Sequence, residues 1–135
     1  MEFKIEILGT PVPKGRPRWS KHGTYTPPKT KQHEKYIQQC WDAVYGNLSP
    51  TDKPLAVQIA FYMPIPKSTT KRAKEFMLIG KIQHTKKPDL DNMAKAVLDG
   101  LSGCAYKDDS QIWMLSVKKE YSETPKTVVW VQEVE

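Results

Sequence analysis

The segment Pro88-Asp89-Leu90-Asp91-Asn92 sets two carboxylates two residues apart where a helical pattern begins. If the backbone is still extended through Asp89 and Leu90, side chains at i and i+2 leave it in the same direction. Neighbouring carboxylates repel unless a cation lies between them. A ligand set made only of oxygen suits Mg²⁺, with Mn²⁺ as its substitute, rather than zinc. Asp108-Asp109 follows the intervening helix, and its turn could return a third oxygen donor to the first two. Asp89, Asp91 and Asp109 are therefore candidate metal ligands, and metal-assisted phosphodiester hydrolysis is the chemistry they suit. Plainer roles exist for each residue alone. An aspartate at a helix start is a common cap worth ~0.5–2 kcal/mol, and Asp-Asp before a strand is a common turn. A cap needs one aspartate, however, and this window holds five acids: Asp89, Asp91, Asp99, Asp108 and Asp109. Lys95 lies four residues from both Asp91 and Asp99, on their helix face. Its spacing alone slightly favours an ion-pair ladder of ~0.2–0.5 kcal/mol per pair over a cation that holds the scissile phosphate.

Charge points the same way. The chain carries a formal net charge of +6, and the excess is local. Between Thr10 and Lys35 stand Lys14, Arg16, Arg18, Lys21, Lys29, Lys31 and Lys35 against a single acid, Glu34. A positive field of this kind suits a phosphate backbone. Lys14, Arg16, Arg18 and Lys21 are the candidate nucleic-acid contacts. Trp19 or Tyr25 could stack on a base, although Trp19 could equally lie beneath its own loop. No apolar run approaches the ~20 residues that span a bilayer, and the N-terminus lacks a signal-peptide layout. A cytoplasmic protein without a membrane partner is expected. Cys40 and Cys104 lack metal-ligand or disulfide-framework spacing, and His22, His33 and His84 suggest no triad.

The elements that must position these residues follow from periodicity. Glu2–Leu8 alternates and reads as a strand. The next segment, 9–28, holds three glycines and five prolines and reads as a stiff, extended basic loop. Apolar residues at 3.6-residue spacing predict a helix over 30–45, capped by Thr30. A strand is expected over 55–63, with Val57, Ile59 and Phe61 on one face, and a short basic helix over 68–78. The clearest helix starts near Asp89, with Leu90, Met93, Ala94, Val97, Leu98 and Leu101 on one stripe and Gly103 ending it. Strands over 111–121 and 126–134 read most simply as a hairpin. The order predicts one domain over 1–135, an α+β fold with a mixed sheet packed against two main helices.

Two longer stretches carry a resemblance. Lys87-Pro88-Asp89-Leu90-Asp91-Asn92-Met93-Ala94-Lys95-Ala96-Val97-Leu98-Asp99-Gly100-Leu101, followed by Tyr106-Lys107-Asp108-Asp109-Ser110-Gln111-Ile112, resembles the RusA-type Holliday junction resolvases. The opening Gly9-Thr10-Pro11-Val12-Pro13-Lys14-Gly15-Arg16-Pro17-Arg18 is similar to the N-terminal basic loop of phage-associated and Gram-positive members. The resemblance implies a homodimer of intertwined α+β subunits that nicks four-way DNA junctions symmetrically with Mg²⁺, in recombination and repair. It implies that Asp89, Asp91 and Asp109 are the essential carboxylates and Lys95 the essential lysine, which reverses the preference drawn from spacing. Asp99 and Asp108 match acids of the motif as accessory positions. Three alternatives stay open: a non-catalytic branched-DNA-binding protein, a nuclease for forks or flaps, and an RNA-directed nuclease. Ile37, Trp41 and Val44, or Trp113, Leu115 and Val129, could form the dimer interface or the core.

Overall fold

A computed structural model of the chain describes residues 1–16 and 18–134. The elements run β1 (Glu2–Leu8), β2 (Arg18–Ser20), β3 (Gly23–Tyr25), α1 (Pro28–Tyr45), β4 (Leu55–Pro64), α2 (Lys71–Leu78), α3 (Leu90–Leu101), β5 (Ile112–Ser122) and β6 (Lys126–Glu133). A 3₁₀ turn over Asp109–Gln111 precedes β5. Strands β1, β6, β4 and β5 lie side by side in that order as one mixed sheet. Its β4–β5 pair is parallel and the others are antiparallel. The expected α+β class is the one observed.

The core lies between one sheet face and the pair α1 and α3. Phe3, Ile5 and Ile7, the alternate residues of β1, meet Ile37 and Trp41 of α1 and Met93, Val97 and Leu101 of α3 through β4 and β6. Alternation on the strands and the 3.6-residue stripe on the helices thus converge on one layer. Where α1 crosses α3, Gly100 faces Ile37. A Cβ at that position would stand 3.0 Å from Ile37 carbons, so the missing side chain lets the helices meet closely. That contact sets how far α3 stands from α1. Helix α2 is capped by Thr70, whose hydroxyl accepts the Ala73 N–H at 3.2 Å.

Three expectations are corrected. First, β5 and β6 do not form a hairpin, because β4 lies between them. Leu55, Ala56, Val57, Ile59, Ala60, Phe61 and Met63 are all buried, so β4 is apolar on both faces. The central position buries both faces and bonds both of its edges. Pro64 ends β4, so the turn after Ser122 passes its end: Ser122 pairs with Pro64, and Lys126 with Tyr62. Second, the basic loop contains a ribbon of β2 and β3. Ser20 Oγ accepts the His22 N–H at 3.2 Å and donates to the Gly23 carbonyl at 3.0 Å, while Gly23 takes a φ of +107° that other residues avoid. Third, Thr30 is not the cap of α1. The helix begins at Pro28, which needs no N–H partner in the first turn. The buried Thr30 hydroxyl instead accepts the Gly15 N–H at 2.8 Å.

Candidate active site

Asp89 precedes α3 with an extended backbone, φ −68° and ψ 138°, and its side chain makes no capping hydrogen bond. The capping role open to Asp89 is therefore not the one it takes. Its carboxylate accepts from Lys87 Nζ at 2.8 Å. That hydrogen bond and the Lys87 charge hold the Asp89 carboxyl below the usual carboxylate range, with Lys119 and Arg16 adding to the pull. Asp91, in the first turn of α3, is exposed and accepts its neighbour Asn92's N–H at 2.9 Å.

Asn92 turns toward the N-terminal segment. Its Nδ2 donates to the Lys14 carbonyl at 3.0 Å, and its own carbonyl accepts the Lys14 N–H at 3.3 Å. The basic segment is thereby fastened to the first turn of α3, beside the two aspartates. Lys14 continues inward: its ammonium pairs with Asp99, and with Glu34 at 3.4 Å. Burial works against that charge, but the two carboxylates outweigh it and raise the Lys14 pKa. Lys95 then bridges Asp99 at 3.2 Å and Asp109 at 3.8 Å. The ladder expected at i,i+4 thus exists toward Asp99, and it extends to the second acidic cluster. Arg16 and Lys21 are exposed. The Arg18 side chain lies outside the described residues.

The other acidic pair divides its roles. Asp108 caps the 3₁₀ turn, accepting the Ser110 N–H at 3.2 Å, while the Gln111 side chain accepts the Asp108 N–H at 2.8 Å. The Gln111 amide also donates to the carbonyls of Thr51 and Lys53, each at 2.9 Å. The turn is thus tied to the chain before β4, and the bland reading of Asp108 as a turn former is realised. Asp109 is partly buried and faces Lys95. Tyr106 lies fully buried near it; burial first, then the Asp109 and Asp99 charges, push its phenol far up, so it stays protonated.

Among the described residues, no three His, Cys, Asp or Glu side chains stand together closely enough to hold a metal ion. The expected convergence of Asp89, Asp91 and Asp109 is not closed in this arrangement. Each carboxylate is turned to its own donor: Asp89 to Lys87, Asp91 to the Asn92 amide, and Asp109 toward Lys95. The donor set still fits Mg²⁺ in chemistry, because all three are carboxylates with no competing sulfur or imidazole.

Two positioning residues escaped the sequence reading. Lys119 on β5 donates to the carbonyls of Lys86 at 2.8 Å and Pro88 at 3.1 Å, and so holds the strand of chain that delivers Asp89. Its register beside Phe61 between Val117 and Tyr121 places a lysine on the inward face of a strand; that inward cation was the available signal. Asn92 carried no signal beyond its adjacency to Asp91.

Similarity to known proteins accords with this layout. The family described as endodeoxyribonuclease RusA matches residues 9–132. A Bacillus subtilis (strain 168) protein described as uncharacterized protein YqaN is 37% identical over 137 residues, which cover 98% of this chain and 96% of that protein. With a match that runs from the basic N-terminal segment through both acidic clusters to β6, this chain belongs to the RusA endodeoxyribonuclease family.

Proposed function

We propose that this protein is a Mg²⁺-dependent endonuclease that resolves four-way DNA junctions by paired symmetric nicks, acting in the cytoplasm in recombination and repair. The observation that carries this reading is the fastening of Lys14 to Asn92. It places a phosphate-attracting segment against the helix end that bears Asp89 and Asp91. The whole chain, 1–135, is read as one endonuclease domain.

Asp89, Asp91 and Asp109 are the residues that would hold the ion. Asp89 and Asp91 are exposed, so their side chains can turn from their present donors toward it. Once held there, Mg²⁺ supplies an activated water and positive charge at the scissile phosphate. The chain does the rest. Lys95 presents an ammonium between the acidic clusters, where it contacts a phosphate oxygen as negative charge grows on it. Asp99 holds Lys95 and Lys14 on one helix face. Arg16, Arg18 and Lys21 contact backbone phosphates and set the register of the DNA. Lys14, engaged by Asp99 and Glu34, orients that segment more than it binds phosphate. Asp108 keeps the Asp109 turn in shape.

Two symmetric cuts need two sites related by a two-fold axis, so the reading includes a homodimer. Ile37, Trp41 and Val129 are buried within the subunit, whereas Trp113, Met114 and Leu115 on the edge strand β5 are 63%, 46% and 43% exposed. An edge strand with apolar residues at its surface invites pairing, and a second copy is the natural occupant.

The test is a labelled four-way junction incubated with Mg²⁺. Paired nicks are expected, with Asp91→Asn losing cleavage by at least two orders of magnitude while it still shifts the junction. Cleavage by Asp91→Asn at the wild-type rate would remove the metal assignment. A shifted band without nicks from the wild type would make the protein a binding module. Forks and flaps cut faster than junctions would change the substrate.

A further inference from the structure

We propose that the ribbon formed by β2 and β3 is a base-stacking finger, whose Trp19 takes the open face of a nucleobase at a DNA branch point or in a single strand. The proposal deepens the nuclease reading and rests on it for the location of the branch.

The first ground is the indole itself. Trp19 is 83% exposed, so it does not lie beneath its own loop. Its cross-strand neighbour is Thr24, which is too small to cover it. Fully burying a large apolar side chain yields ~1.5–3 kcal/mol, and this position forgoes nearly all of that. A ribbon of three residues per strand has no core of its own and is marginal in isolation. Its aromatic surface is presented to solvent. Tyr25, on the other face of the ribbon, is a second aromatic at 42% exposure.

The second ground is where the ribbon is rooted. Lys14 is bonded in both directions to Asn92, one residue beyond Asp91. Gly15 donates to Thr30 Oγ1 at 2.8 Å, which closes the base of the loop against the start of α1. A Cβ on Gly15 would fall 2.5 Å from that oxygen, so the closure depends on glycine. Trp19 is five residues beyond Lys14, a reach of at most about 17 Å of extended chain. Both ends of the finger thus meet at the Gly15–Thr30 closure, and its Lys14 root is fastened to the first turn of the helix that bears Asp91.

The third ground is charge. From Gly9 to His33 the chain contains no acid, and Arg16 and Lys21 flank the indole with exposed cations. An aromatic platform between cations is the composition that takes a base and its neighbouring phosphates. It suits an anionic polymer with open π-faces. Continuous duplex hides those faces, whereas branch points and single strands expose them.

The experiment compares wild type, Trp19→Ala and Trp19→Phe without divalent metal, so that no strand is cut. Anisotropy titrations use a four-way junction, a single-stranded oligonucleotide and a blunt duplex. The junction and single strand carry 2-aminopurine at the branch and at mid-strand, respectively. Stacking of one base is worth ~1–3 kcal/mol, so Trp19→Ala is expected to weaken junction and single-strand binding by roughly 5- to 100-fold. Duplex binding should change by less than about twofold. The 2-aminopurine response should fall with Trp19→Ala and return with Trp19→Phe. Equal losses on all three DNAs would make Trp19 a structural residue and overturn the finger, and so would no loss on any. A wild type that binds junction no better than duplex counts against the junction reading alone. The single-strand arm then decides the finger, with an unchanged Trp19→Ala affinity sinking it.

Discussion

Lys14 and Arg16 sit two positions apart in the same basic segment, and the fold assigns them different work. Lys14 is paired with Asp99 and Glu34, whereas Arg16 is exposed beside the acidic site. Removal of a partly buried cation leaves its carboxylates uncompensated, at a cost of about 1 kcal/mol. Lys14→Met is therefore expected to lower the urea midpoint by a corresponding amount. Lys21→Met should leave that midpoint in place and reduce the slope of log affinity against log salt by about 1. If Lys14→Met matched Lys21→Met in both measurements, the internal role of Lys14 would be wrong. Asp89 and Asp108 make a similar contrast: both precede helical turns, but only Asp108 caps with its side chain.

Individual carboxylates reach the site only through the elements that carry them. Helix α3 brings Asp91, Lys95 and Asp99, and its distance from α1 is set at Gly100. The 3₁₀ turn brings Asp109 and is held from the far side by Gln111. Asp89 arrives on a loop whose Lys86 and Pro88 carbonyls are gripped by Lys119 of β5. Lys119→Met removes the donor from both carbonyls and lets that loop drift. Its expected signature is a several-fold rise in the Mg²⁺ concentration that half-saturates the protein, measured calorimetrically on Asp91-intact protein without DNA. Lys119→Arg, which keeps a cation of similar reach, should recover most of the affinity. An unchanged Mg²⁺ titration for Lys119→Met would show that the clamp does not matter.

At the level of the whole molecule, the sheet has one face closed by α1 and α3 and an edge, β5, that carries Trp113, Met114 and Leu115 at its surface. Charged residues on that edge would oppose pairing of two copies. The double variant Trp113→Lys with Leu115→Lys is expected to convert a dimer to a monomer in sedimentation experiments. It should also turn paired nicks into single, uncoupled ones. A monomeric wild type would remove the homodimer from the reading, and an unaffected dimer in the double variant would move the interface elsewhere.

Local chemistry and periodicity alone determined the α+β class, the stripe of α3, the acidic residues and the basic segment, because each is written in neighbouring residues. The same is true of the family, whose motifs are contiguous. What neighbouring residues could not decide was which strand lies next to which. The three-residue connection between β5 and β6 looks like a hairpin turn, yet β4 occupies the gap because burial of its two apolar faces outweighs local economy. The same limit held for Lys14, Lys119 and Trp19. Whether a cation is paired, or an indole covered, depends on side chains distant along the chain, and only packing in three dimensions brings those together.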